Sequence, residues 1–118
     1  MREQSIQDNI RIGLCEQTNG IVFRTNAGVA WAGDKIIDTP EYGRVLVNPR
    51  KVTLLPEGFS DLLYVGDNSV VAFIECKTAK GKAREAQERF INLMRRMGHR
   101  AGIARSVSDA LEIVGDNT

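Results

Sequence analysis

The feature that most constrains this chain is the apolar run VVAFIECK, residues 70–77, which ends in two charges. Its β-branched and aromatic residues read as a buried strand entered from the turn sequence GDNS at 66–69. Side chains alternate faces along a strand, so Val71, Phe73, Glu75 and Lys77 share one face while Ala72, Ile74 and Cys76 take the other. A carboxylate and an ammonium therefore stand on the same face at the end of a core strand. On the other side of GDNS lies LLYV, residues 62–65, preceded by Asp61. The two runs form a hairpin, and antiparallel pairing brings Asp61 and Glu75 to one end of the sheet.

The rest of the chain supplies the elements that cover such a hairpin. Ser5–Gln17 reads as a helix with Ile6, Ile10 and Leu14 as its inward stripe, and Glu3 and Gln7 extend that stripe toward the N-terminus. Gly20 ends it, and Ile21–Thr25 is a strand leading into the loop-like NAGVAWAGD. Arg44–Leu55, interrupted by NPRK, predicts a hairpin, and PEGFS breaks the pattern again. After the polar loop TAKGK a helix is predicted from Ala83 to Met97, with Ala83, Gln87, Phe90, Met94 and Met97 on its inner face and Gly98 just past its end. HRAGIA follows as a strand, and Ser106 caps a last helix through Val114. The order helix, strands, helix, strand, helix suits a single domain over residues 1–118, and no internal repeat or linker divides it.

No segment is long and apolar enough to span a bilayer, and the polar N-terminus MREQSIQDN lacks the core of a secretory signal, so a cytoplasmic protein without membrane partners is expected. Cys15 and Cys76 lie far apart, with no CxxC and one histidine, His99, which predicts free buried thiols and no zinc site. The net charge of +1 conceals an uneven distribution. From Lys77 to Arg105 the only acids are Glu85 and Glu88, whereas Asp109, Glu112 and Asp116 make the tail acidic. A basic half of this kind is either a solvated helix face or a surface for a polyanion.

Two carboxylates as close as Asp61 and Glu75 repel unless a cation joins them. An oxygen-rich donor set selects Mg²⁺ or Mn²⁺ and leaves positions for water and phosphate. Lys77 could then hold the attacking water and offset phosphate charge, as metal-assisted phosphodiester hydrolysis requires. The spacing of Glu75 and Lys77 taken alone is more often that of a surface ion pair. Glu3 also suits a helix start by its charge, Gln87 a core edge and Asp61 a local cap. Asp67 reads as a turn former, His99 as structural, and Trp31 and Phe23 as packing residues.

Order and spacing carry more than any single pair. GFSD at 58–61, a strand, a turn and IECK at 74–77 resemble the PD-(D/E)xK nuclease signature, with Ser60 in place of its proline. With Glu3 ahead of Ile6 and Gln7, FRTNAG at 23–28, KTAKGKAREAQERF at 77–90 and SVSDA at 106–110, nearly the whole chain resembles the virus-type replication-repair nuclease (VRR-NUC) family, in the minimal stand-alone form carried by phages. The resemblance implies an α/β restriction-endonuclease-like fold with a mixed central sheet flanked by helices. It implies metal ligation by Asp61, Glu75 and the backbone carbonyl of Cys76, with Glu3 holding a water or a second ion. Lys77 falls on the family's lysine and Gln87 on its helical glutamine, whose task would be to orient Lys77 or the scissile phosphate. Arg24 and Asn26 would contact phosphate, while Lys80, Lys82 and Arg84, leaving the active-site strand, could grip the backbone beside the scissile bond.

The implied activity is a divalent-metal-dependent DNA endonuclease, structure-specific on branched DNA such as four-way (Holliday) junctions. The implied assembly is a homodimer, in the host cytoplasm if phage-encoded, and the hairpin region Val45–Leu55 could supply its interface. The competing readings are a catalytically inactive nucleic-acid-binding module of the same fold and an unrelated α+β scaffold.

Overall fold

The computed structural model describes residues 1–115; Asp116, placed above in the acidic tail, and the two residues after it lie outside them. Along the chain the elements are α1 (Glu3–Gln17), β1 (Ile21–Arg24), β2 (Val29–Ala32), β3 (Lys35–Thr39), β4 (Gly43–Val47), β5 (Arg50–Thr53), β6 (Leu62–Val65), β7 (Val71–Cys76), α2 (Glu85–Arg96), β8 (Arg100–Ala104) and α3 (Val107–Val114).

The hairpin expected across GDNS is the centre of the molecule. β6 and β7 pair antiparallel with Leu62 opposite Ile74 and Val65 opposite Val71. Asn68 and Ser69 both adopt positive φ, at 59° and 62°, and the Val70 amide donates to the Asp67 carbonyl at 3.2 Å. Positive φ at both central residues matches the right-handed twist of the flanking strands. β1 adds antiparallel to β6 and β8 adds parallel to β7, so the sheet runs β1-β6-β7-β8 and is mixed. α2 makes the crossover between the two parallel strands.

The alternation of β7 divides the molecule into two layers. Ala72, Ile74 and Cys76 pack with Leu62 and Tyr64 against Ile6, Ile10 and Leu14 of α1 and Ala110 and Val114 of α3. On the other face Phe73 meets Phe59 and Phe90, with ring centroids 5.8 and 5.5 Å apart. That contact seats α2 over the Glu75 side of the sheet. α2 begins at Glu85, later than the predicted Ala83, because the backbone amide of its N-cap, Arg84, donates to the Gln87 side chain at 2.9 Å. Met97, expected inside, is 61 % exposed, since the helix ends at Arg96 and the chain turns away through Gly98 at φ 87°. Ser106 caps α3 as expected and accepts from the Asp109 amide at 3.1 Å.

Between β1 and β6 the structure departs from the sequence reading. NAGVAWAGD is not a loop, because it contains β2, and Arg44–Leu55 is not a hairpin closed on itself. β4 pairs with β3 and β5 pairs with β2, in one shared register that runs from Val29 opposite Thr53 to Thr39 opposite Gly43. The four strands are thus two segments of a single long hairpin, broken where Gly33 and Asp34 face Asn48 and Pro49. Pro49 has no amide to donate and Asn48 has φ 50°, which interrupts the ladder. Asp34 bridges the break, accepting from Asn48 Nδ2 at 2.8 Å and Arg50 Nη1 at 2.9 Å, and both bonds hold its carboxyl below the usual range.

Legs of this length reach about 35 Å, and the molecule measures 57 × 30 × 28 Å. Its radius of gyration is 17.0 Å, against about 13 Å for a compact chain of this size. The cysteines also differ from expectation in part: both are free, but Cys15 is exposed and only Cys76 is buried. Burial pushes the Cys76 thiol far up, which keeps it protonated. No helix among the described residues is long and apolar enough to cross a membrane.

Candidate functional site

Extending the β6–β7 register by one pair sets Asp61 opposite Glu75 at the end of the sheet. Asp61 is fixed from two sides. Its Oδ2 accepts from the Cys76 amide at 2.9 Å, and its backbone carbonyl accepts from the Thr25 amide at 2.9 Å. The N-terminal end of α1 brings Glu3 to the same place, so that one carboxylate oxygen from each of Glu3, Asp61 and Glu75 lies within 4.8 Å of the others. Glu3 is exposed, Asp61 half-buried and Glu75 buried.

Glu75 carries the electrostatic cost of this arrangement. It is 1 % exposed, and burial, followed by the neighbouring Asp61 carboxylate, pushes its carboxyl up to about 8. Lys77 acts in the opposite direction, with Nζ 3.9 Å from Glu75 Oε1. Lys77 is itself buried, so the surface ion pair suggested by the spacing is an interior one. Glu75 Oε1 also accepts from Gln87 Nε2 at 2.7 Å. The side-chain partner of Gln87 is thus Glu75 and not Lys77, because the α2 face that holds Phe90 over Phe73 holds Gln87 over Glu75. Glu75 Oε2 is buried and has no hydrogen-bond donor among the described residues.

An acceptor without a donor, among three clustered carboxylates, fits a divalent cation. The donors are hard oxygens, as Mg²⁺ or Mn²⁺ require. Beside the cluster is a cleft of about 360 Å³ whose walls include Gln7, Arg24, Asn26, Asp61, Arg84 and Gln87. Arg24 ends β1 opposite Leu62, and Asn26 and Gly28 hold the base of the arm to Leu55 through backbone bonds. Gly58 forms part of the same wall at φ 94°, and a Cβ there would stand 2.6 Å from the Ala86 carbonyl. Only glycine allows α2 to approach so closely.

Of the predicted site residues, Glu3, Asp61, Glu75, Lys77 and Gln87 converge at the sheet end, and Arg24, Asn26 and Arg84 line the adjoining cleft. Lys80 and Lys82 do not line it and stand exposed on the following loop. Sequence reasoning gave no task to Arg105. Its Nη1 donates to the carbonyls of Thr78 at 2.5 Å and Gly81 at 2.6 Å, which pins the loop bearing Lys80 to the end of β8. No local pattern announces that contact, which joins residues 24 and 27 positions apart.

A mixed sheet flanked by helices, with Asp, Glu and Lys gathered at one end, has the organisation of the PD-(D/E)xK nucleases. The model of the VRR-NUC domain family matches residues 1–108, and the chain belongs to that family. A solved structure described as a VRR_NUC domain superposes with a TM-score of 0.60 over 98 % of this chain and 97 % of that one, at 15 % identity. Its likeness shows the shared fold. No curated protein matches the sequence.

Proposed function

We propose that this chain is a divalent-metal-dependent DNA endonuclease that acts on branched DNA such as four-way junctions. The observation that carries the proposal is the buried Glu75, a member of the carboxylate cluster, whose one oxygen is held by Gln87 and whose other has no donor among the described residues. Asp61, Glu75 and the Cys76 carbonyl would hold Mg²⁺ or Mn²⁺, with Glu3 joining directly or through water. The bound metal would supply Lewis-acid stabilisation of the charge that develops on the phosphate.

The remaining tasks belong to the chain. The Lys77 ammonium, kept beside Glu75, orients the attacking water and offsets phosphate charge. Gln87 fixes the Glu75 carboxylate by donating to its Oε1, which leaves Oε2 free for the cation. Arg24, Asn26 and Arg84 bind the DNA backbone along the cleft, and Lys80 and Lys82 extend that grip from the loop. Water attacks phosphorus in line, the bond from phosphorus to the 3′ oxygen breaks, and a proton passes to that oxygen. The products carry a 5′-phosphate and a 3′-hydroxyl.

One domain over residues 1–118 offers one such site, and resolving a junction takes two cuts, so the active unit is a homodimer. The long hairpin is its interface. Val29, Trp31, Ile36 and Tyr42 are more than half exposed on it, and two-stranded ribbons of this kind are marginal in water until covered. Its charges are of both signs and largely satisfied internally, Arg44 by Asp38 at 3.3 Å and Arg50 by Asp34 at 2.9 Å. A near-neutral ribbon with exposed apolar side chains suits a second copy of itself better than a polyanion.

The test is cleavage of labelled single strand, linear duplex, flap and four-way junction with Mg²⁺, Mn²⁺ or chelator, beside Glu75→Ala and Lys77→Ala. Metal-dependent cutting that is absent in Glu75→Ala and reduced at least ~10²-fold in Lys77→Ala is expected. Retention of branched DNA without any cutting would replace the enzyme by a binding module.

A further inference from the structure

Two glutamines are buried at this site, and they are committed differently. Gln87 uses both ends of its amide, donating to Glu75 Oε1 at 2.7 Å and accepting from the Arg84 amide at 2.9 Å. Gln7, 9 % exposed, lies one helical turn after Glu3 on α1 and forms part of the cleft wall with Asp61, Arg24 and Arg84. Its Oε1 accepts from Gln4 Nε2 at 3.4 Å, and its Nε2 donates to no acceptor among the described residues.

The orientation of that amide is set by its neighbours. Asp8 is a pure acceptor as a carboxylate, and it takes a hydrogen bond from Gln4 Nε2 at 3.0 Å. Gln4 is thereby fixed with its amino group toward both Asp8 and Gln7, so Gln7 presents its carbonyl to Gln4 and its amino group elsewhere. The fully occluded side-chain atoms without partners are Arg11 Nε, Ser60 Oγ and Glu75 Oε2. Gln7 Nε2 is not one of them, so it keeps solvent contact, and Gln7 is a wall residue of the cleft. A donor at the cleft wall is matched by an acceptor-only ligand such as a phosphate oxygen.

We propose that Gln7 is a substrate-orienting residue, donating from Nε2 to a non-bridging oxygen of the DNA phosphate that enters the cleft. This rests on the nuclease reading of the site. A neutral amide suits the task, because it does not compete with the carboxylates for a cation and keeps its donor at every pH. Asp8 and Gln4 act behind it as positioning residues, since they decide which end of the amide faces the cleft.

The experiment compares wild type with Gln7→Met, which keeps the shape and removes the donor, and Gln7→Glu, which reverses the charge preference. Junction cleavage, DNA affinity by fluorescence anisotropy without metal, and the Mn²⁺-induced rise in melting temperature are read on the same preparations. The expected result is a fall in kcat/KM of about 10²-fold in Gln7→Met, a larger fall in Gln7→Glu, and an unchanged Mn²⁺ shift in Gln7→Met. A kcat/KM within twofold of wild type in Gln7→Met overturns the proposal. So does a Mn²⁺ shift lost in step with activity, which would place the amide in the metal site instead. If the wild type binds DNA without cutting it, the nuclease reading fails on its own. The Gln7 contact is then judged by affinity, supported by a loss in Gln7→Met and overturned by no change.

Discussion

At the sheet end Ile74 and Leu62 are fully buried and Glu75, a carboxylate, is buried with them, whereas on the hairpin arm Trp31 is 63 % exposed and Tyr42 77 %. Each region breaks the ordinary partition of side chains, in opposite directions. The core hides a charge, and the arm displays aromatic surface. The first is tolerated because Gln87 and Lys77 compensate one oxygen of Glu75, and it marks chemistry. The second is tolerated because the arm's backbone is paired along both legs, and the proposed function makes it an association surface. Position in the fold thus decides what a misplaced residue means.

Truncation should separate the two regions most strongly. Ile74→Ala, at a fully buried site, is expected to lose about 2–5 kcal/mol in denaturant unfolding. Ile36→Ala on the arm, 61 % exposed, should cost less than about 0.5 kcal/mol at concentrations where the protein is monomeric. Equal losses would make the arm part of the core and end the contrast. Trp31→Glu with Ile36→Glu sharpens it further. Sedimentation should show dimers of the wild type and monomers of the double variant, with the melting temperature of the monomer little changed. A dimer that persists would move the interface elsewhere.

A further effect is expected on pH dependence. The folded protein binds the Glu75 proton more tightly than the unfolded chain does, with a carboxyl near 8 against an ordinary 4.5. Its contribution is fully present below about pH 4.5 and is lost as pH rises through 8. Metal-free melting temperature should therefore decline across that window, and the decline should be absent in Glu75→Gln.

Much of the core was legible in the sequence, for a physical reason. Period-two alternation in residues 70–77 assigns faces without any knowledge of tertiary structure, and the GDNS turn fixes the pairing that joins Asp61 to Glu75. The partner of Gln87 was not legible, since it depends on how α2 docks through Phe90. Nor was the arm. GVAWAG carries too many small residues to read as a strand, and its partner lies beyond the break at Asn48 and Pro49. Pairings between distant segments leave no periodic trace in either one. Cys15 was assigned to the interior on its residue type alone, and its place on the outer side of α1 overrode that preference.

The central claim is that the sheet end is built around carboxylates that a divalent cation must join. Its most direct test is the melting temperature of wild type and Glu75→Gln at pH 8, with Mg²⁺ or Mn²⁺ and with chelator. The account predicts that metal raises the wild type by several degrees and Glu75→Gln hardly at all, and that Glu75→Gln without metal melts above metal-free wild type because the buried repulsion is gone. Equal metal shifts in the two proteins would contradict it.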